Sequence, residues 1–380
     1  MAKLGDIATY INGYAFKPQD WSDEGIPIIR IQDLTGNSYQ ANRYNGEYAS
    51  KYEVNDGDVL ISWSASLGVY IWHGEKAVLN QHIFKVVFDK ERISKDFFIH
   101  QVGLILENAA SDAHGATMKH LTKPVFDALP FYLPPYEKQC EIAEVLDKVT
   151  SLISLRKQQL AKLDELVKVR FVEMFGDPIN NPMKWIISKI EDITAQEKNA
   201  LKAGPFGSAL KKEFYVRSGY KIYGQEQVIC GDASFGDYYI DEEKYKELKN
   251  CAVQAGDILI SLVGTYGKTL IMPDNYEAGI INPRLMKITL NKNKVTPIYF
   301  KYYFESNALK ASMDANTHGG TMGILNLGII RQMKIQVPPL SLQNQFAAFV
   351  ERVDQQKQTV QQSLEKLELM RKALMQEYFG

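Results

Sequence analysis

Several short motifs in this chain approach catalytic patterns, and each lacks a residue its chemistry requires. A base methyltransferase grips an extruded base with Asn or Asp followed by Pro-Pro and Tyr or Phe, because the first side chain must accept from the target amino group. Leu133-Pro134-Pro135-Tyr136 comes close, but leucine cannot accept, and a second occurrence reads Val337-Pro338-Pro339-Leu340. Two prolines suit the entry to a helix better, since proline fits the first helical turn. Gly264-Thr265-Tyr266-Gly267-Lys268-Thr269 ends like a phosphate loop, yet Leu262 stands where the pattern needs its first glycine. The matching stretch Ala65-Ser66-Leu67-Gly68-Val69-Tyr70 has no lysine, so both read as turns between strands. Pro273-Asp274 with Glu277 resembles a nuclease cluster, but Gly279 replaces the lysine. No glycine-rich loop follows a strand to hold S-adenosylmethionine. Cys140, Cys230 and Cys251 are scattered without CxxC spacing, which argues against a disulfide framework and a zinc site. The chain is expected to be non-catalytic, with no metal and no cofactor of its own.

Residues suited to binding remain. His114 and His318 occupy matched Gly-Thr loops, His114-Gly115-Ala116-Thr117-Met118 and His318-Gly319-Gly320-Thr321-Met322. Such a histidine usually serves its loop, but histidine, threonine and free glycine amides also suit phosphate oxygens, and Lys119 and His120 extend the first loop. Reading a base edge needs paired donors and acceptors: Arg or Lys for guanine, Asn or Gln for adenine. Polar side chains interrupt apolar runs at Arg30, Gln32 and Asp33, at Ser62, Trp63 and Ser64, and at Asn80 and Gln81. Lys211, Lys212, Tyr223, Gln225, Glu226, Thr265, Tyr266, Asn282 and Arg284 occupy comparable places later in the chain.

The elements that must position these residues come in two copies. Displaced by 204 places, Pro135–Gly176 matches the chain's last 42 residues without a gap. The first copy carries Leu146, Val149, Ile153, Arg156, Leu160, Leu163, Val167, Arg170 and Met174 at alternating spacings of three and four. The second carries Val350, Val353, Lys357, Val360, Leu364, Leu367, Arg371, Leu374 and Tyr378. That pattern predicts two long helices, each with a coiled-coil seam. The charged exceptions never coincide, and none opposes a charge in the other copy's register, which predicts that the helices pair with each other within the chain. Because the first must carry the chain from one domain to the next, the pairing should be antiparallel. A helix of this length spans about 60 Å and would act as a spacer in a pseudo-two-fold arrangement.

Between the helices lie two globular segments, so the expected division is 1–134, helix 135–176, 177–338 and helix 339–380. In the first, strand-like runs at 26–31, 58–62, 69–72 and 83–88 precede a helical stretch at 96–108, an α+β order. The second repeats the landmarks: Gly256-Asp257-Ile258-Leu259-Ile260-Ser261 answers Gly57-Asp58-Val59-Leu60-Ile61-Ser62. Between landmarks the segments diverge while the helices do not, which suggests one common partner and two different targets. A formal net charge of −1 neither shows nor excludes nucleic-acid binding. The first segment is acidic and the second mildly basic, so a chain that binds DNA this way shares the electrostatic work with a partner. No signal peptide and no apolar run of membrane-spanning length is present, and a cytoplasmic location is expected.

GDxLIS, HGxTM and a PP-x3-Q entry into a long helix ending in Phe-Gly, each present twice, resemble the specificity (S) subunit of type I restriction-modification systems across the whole chain. The resemblance implies two target-recognition domains that each read half of a split duplex DNA site. It implies helices that set the gap and bind two methyltransferase (M) subunits, which carry S-adenosylmethionine, and association with restriction (R) subunits. Catalysis would belong to M and R. The competing reading is a two-domain coiled-coil scaffold for protein partners, without DNA specificity.

Overall fold

The computed structural model describes residues 1–37, 42–112, 122–316 and 325–380. The chain divides into two compact units, Met1–Lys157 with Gln361–Gly380, and Gln158–Val360. Each unit contains half of both long helices, Tyr136–Phe175 and Leu340–Phe379.

Unit 1 holds two four-stranded sheets. One is antiparallel, in the order Thr9–Asn12, Ile83–Val87, Val59–Ser62, Gly68–Ile71. The other runs Arg43–Tyr44, Ile26–Ile29, Ala77–Leu79, Glu53–Val54, with its two middle strands parallel. The strand 59–62 is buried on both faces because successive side chains point opposite ways. Val59 and Ile61 enter a core with Phe84, Phe97 and Phe98, while Leu60 enters a second core with Ile29 and Leu79. Ile142, Ala143 and Leu146 of the first long helix and Met375 of the second close the first core. Here the two helices run antiparallel, since residues 142–146 of the first share a core with Met375 near the end of the second, whereas Arg156, further along the first, donates from Nε to Ser363 Oγ at 3.2 Å, earlier in the second.

Unit 2 repeats this plan. Its antiparallel sheet is ordered Leu201–Ala203, Leu285–Ile288, Ile258–Ser261, Thr269–Ile271, and its second sheet pairs Tyr220–Tyr223 in parallel with Gly279–Ile281. Ile258 and Ile260 face a core completed by Val167, Phe171, Phe346 and Val350 of the long helices, and Leu259 faces the other core. The helices are antiparallel here too. Lys357 Nζ meets Asp164 Oδ1 at 2.6 Å, so the expectation that Lys357 opposes no charge is corrected: Asp164 flanks the seam and a lysine stem reaches across it. Arg170 stays exposed, pairing with Glu173 on its own helix, whereas the Arg371 Nε in unit 1 is buried. The apolar seam residues Leu146, Val149, Ile153, Leu160, Leu163, Val167, Val350, Val353, Val360, Leu364, Leu367 and Leu374 are all buried or half-buried.

The repeated motifs prove to be joints. Gln139 Nε2 donates to Pro134 O at 2.8 Å while its Oε1 accepts from Ser94 N at 2.9 Å. Gln343 does the same with Pro338 O and Thr296 N, both at 2.8 Å. The PP-x3-Q entry thus bolts each long helix to the start of the helix that covers the sheet. In GDxLIS, Gly57 and Gly256 adopt φ of +83° and +80°, where a side chain is strained. Asp58 and Asp257 accept the amide three residues back and pair with Lys85 at 2.8 Å and Lys287 at 3.0 Å. Phe-Gly ends the first long helix because Gly176 takes φ +78° and its amide reaches Val172 O.

Candidate nucleic-acid interface

Three loops converge at one edge of each unit. In unit 1 they leave the strands ending at Ile29, Ser62 and Leu79. Asn80 N donates to Ile29 O at 3.1 Å and Trp63 N to His82 O at 3.2 Å, which ties the three together. In unit 2 the loops leave Tyr223, Ser261 and Ile281, and Asn282 N donates to Tyr223 O at 2.8 Å while Leu262 N donates to Arg284 O at 2.9 Å. A fourth loop passes underneath, and its glycines show how closely. A Cβ on Gly13 would lie 2.0 Å from Asn80 O, and one on Gly204 would lie 1.9 Å from Asn282 O.

The candidate residues fall on this edge unevenly. Arg30, Gln32 and Asp33 form a half-buried cluster in which Asp33 accepts the Arg30 amide at 2.8 Å. Trp63 is half-buried, stacks on Phe84 and donates its indole N–H to Asn12 at 3.2 Å. Asn80 spends its side-chain oxygen on the Gln81 amide, as Asn282 does on the Arg284 amide. Gln225 donates to Val263 O, which links the loop after Tyr223 to the hairpin loop carrying Thr265 and Tyr266. Lys211, Lys212, Glu226, Thr265 and Arg284 are exposed, with Tyr266 half-buried.

Three candidates are corrected. Ser62 is fully buried, and its hydroxyl donates to Ser66 O, as Ser261 does to Thr265 O at 2.6 Å; the serine shapes the hairpin turn. Ser64 is buried beside it. Tyr223 is fully buried, with its hydroxyl donating to Glu277 O at 2.6 Å. Burial and the nearby Glu277 carboxylate push its phenol above the ordinary range. None of these three can present its polar atom to a base. His114, Thr117, Lys119, His120, His318 and Thr321 lie outside the described residues.

Two aromatic residues on the fourth loop join this edge without having been candidates in the sequence. Phe206 is 90% exposed and Tyr14 is 44% exposed, next to the glycines that pass beneath Asn282 and Asn80. An exposed aromatic side chain beside polar loops can offer a stacking or wedging surface to a nucleic acid. The sequence signal was Gly204-Pro205-Phe206-Gly207, where phenylalanine sits in a turn with neither strand nor helix periodicity to bury it.

Comparison with known proteins decides the family. The model for the type I restriction modification DNA specificity domain matches residues 1–165 and again 182–369. The chain belongs to that family. Among curated proteins it is similar to the Type I restriction enzyme EcoBI specificity subunit of Escherichia coli, at 22% identity over 92% of this chain and 78% of that one. It is also similar to the MjaVIII specificity subunit of Methanocaldococcus jannaschii, at 21% identity over 99% of this chain and 90% of the relative. A chain solved in work on complex assembly of the type I R-M system matches with a TM-score of 0.60 at 15% identity, over 100% of this chain and 96% of that one. The type I S subunit from M. genitalium matches with a TM-score of 0.55 at 14% identity, over 100% and 95%. These two share the fold. Specificity domains in tandem are what the two units with matching loop edges correspond to. Among the described residues no helix is long and apolar enough to cross a membrane.

Proposed function

We propose that this chain is the DNA-reading subunit of a type I restriction-modification complex, in which each unit reads one half of a bipartite duplex site. The chain itself is non-catalytic and acts in the cytoplasm. It recruits two methyltransferase (M) subunits, which flip and methylate the target bases with S-adenosylmethionine, and restriction (R) subunits, which cleave. The observation that carries the reading is the pair of loop edges: one hydrogen-bonded frame, built twice, bearing different polar side chains. A frame that holds constant while its side chains vary is what two independent readers of different half-sites need, because base contacts specify and backbone contacts only position. Candidate reading residues are Arg30, Gln32, Asp33, Trp63, Asn80 and Gln81 in unit 1. In unit 2 they are Lys211, Lys212, Gln225, Glu226, Thr265, Tyr266, Asn282 and Arg284.

The test is methylome sequencing of cells expressing the chain with its M subunit. A split motif of two fixed halves and a constant gap is the expected result. Methylation without such a motif, or a purified complex that enriches no sequence from a random duplex pool, sinks the proposal and leaves a protein scaffold in its place.

A further inference from the structure

The helix that covers the sheet differs between the units. In unit 1 it is continuous, Lys95–Asp112; in unit 2 it is split into Pro297–Phe304 and Asn307–Asn316. A two-residue insertion falls in the stretch that contains the split. Ser94 and Thr296, which make the same bond to Gln139 and Gln343, are 202 places apart, whereas the two glutamines are 204 apart. Beyond the break the register puts Lys310 where unit 1 has Leu106, a core residue only 1% exposed.

The break borders a cavity of about 340 Å³ within unit 2, lined by Lys168 and Val172 of the long helix, Lys268 of the hairpin loop, Lys310, and the carboxylates of Asp177 and Glu305. One oxygen of each carboxylate is engaged. Glu305 Oε1 accepts from Thr269 N at 2.7 Å and Thr269 Oγ1 at 2.8 Å, and Asp177 Oδ1 accepts from Ile179 N and Asn180 N at 2.8 Å. The three ammonium groups have no hydrogen-bond or ion-pair partner among the described residues. Burial lowers the pKa of Lys310, and the charges of Lys268 and Lys168 lower it further against the opposing pull of Glu305. Three lysines lining one cavity, with one oxygen of each nearby carboxylate already bonded, make a site for an anion. Three ammonium donors suit the several oxygens of a phosphate better than the two of a carboxylate.

Among the described residues, the matching positions of unit 1 do not repeat this lysine set. Val69 stands where Thr269 stands in the hairpin register, Leu106 replaces Lys310, and only Lys168 has a cationic counterpart, Lys372. A partner gripped alike by both copies would have left a matching pocket in each, so the ligand acts on unit 2 alone.

We infer that this cavity binds one phosphate-class oxyanion, either a backbone phosphodiester of duplex DNA beside the loop carrying Thr265 and Tyr266, or a free phosphate. The DNA source rests on the function proposed above; the free source does not. The test uses the full chain with its M subunits, as wild type, as Lys310→Met and as a Lys168→Gln/Lys268→Gln double variant. One arm measures the unfolding temperature in inorganic phosphate against chloride at equal ionic strength. The other measures the dissociation constant for cognate and random duplexes against salt.

If DNA supplies the phosphate, Lys310→Met weakens both duplexes alike, lowers the log–log salt slope by about 1, and leaves the methylated sequence unchanged. If the ion is free, inorganic phosphate raises the unfolding temperature of wild type and of neither variant. Both changes together identify a DNA phosphodiester for which free phosphate competes. Unchanged salt slopes together with an equal phosphate response in all three proteins overturn the inference. A wild-type complex that selects no bipartite sequence defeats the proposed function, while the phosphate arm still decides this one. The polar double variant guards against a Lys310→Met protein that misfolds.

Discussion

The loop edges of the two units share a skeleton and little else. Asn80 and Asn282 accept the same structural task, bonding a neighbouring amide and pressing their carbonyls against Gly13 and Gly204. Around them unit 1 places Arg30, Gln32 and Trp63, and unit 2 places Gln225, Tyr266 and Arg284. The difference teaches that backbone bonds and glycines hold the frame, leaving the projecting side chains free to change without unfolding it. The covering helix makes the same point in reverse: breaking it at Glu305–Ser306 costs unit 2 a continuous helix and borders a cavity lined by Lys168, Lys268 and Lys310, a set that the matching described positions of unit 1 do not repeat.

The seam offers the largest effect by which to break this comparison. Leu364 and Leu367 belong to unit 1, and Leu160 and Leu163 to unit 2. Changing either pair to Asp should cost several kcal/mol, because an unpaired carboxylate enters an apolar seam. Urea unfolding of the full chain should show the loss first in the unit that carries the change, with M binding abolished. Wild-type stability and M binding would mean that the seam is not a support.

Exchanging residues 1–134 for those of a relative should alter one half of the methylated motif and leave the other intact. If both halves change, the units do not read independently. Gly13→Ala and Gly204→Ala should each destabilise by about 1–3 kcal/mol, since the added methyl meets backbone rather than a movable side chain. Equal losses measured by thermal unfolding would show that the two frames are equivalent.

Phe206→Ala should leave folding untouched, because the ring is 90% exposed, and weaken DNA binding by about 1–3 kcal/mol if it stacks on a base. Unchanged affinity in a gel shift would remove Phe206 from the interface. Four residues inserted after Arg156 add about 6 Å of helix. At about 3.4 Å of rise per base pair, the gap in the motif should lengthen by one or two base pairs with its letters unchanged. Full activity with an unchanged gap would show that the helices do not set the spacing.

The long helices were legible because their signal is local: spacings of three and four put the seam residues on one stripe of any helix. The strands at 59–62 and 83–87 and the helix at 95–112 were legible for the same kind of reason, within a few residues at their ends. The edge was legible only as a set of polar interruptions. Those at Ser62, Ser64 and Tyr223 look no different in sequence from those at Thr265 and Arg284. Ser62 is hidden because a carbonyl four residues on takes its hydroxyl, and Tyr223 because Glu277, far along the chain, takes its phenol. Phe206 erred the other way, an apolar residue that no core claims.

The sequence by itself determined the duplication, the paired helices and the α+β order, since each is written in periodicity or repetition that the backbone must obey. Only the tertiary structure decided which polar side chains face outward, that PP-x3-Q and GDxLIS are joints, and that three lysines from distant parts of the chain share one cavity. Those outcomes depend on partners brought together by folding, and residue spacing along the chain carries no record of which donor meets which acceptor across a fold.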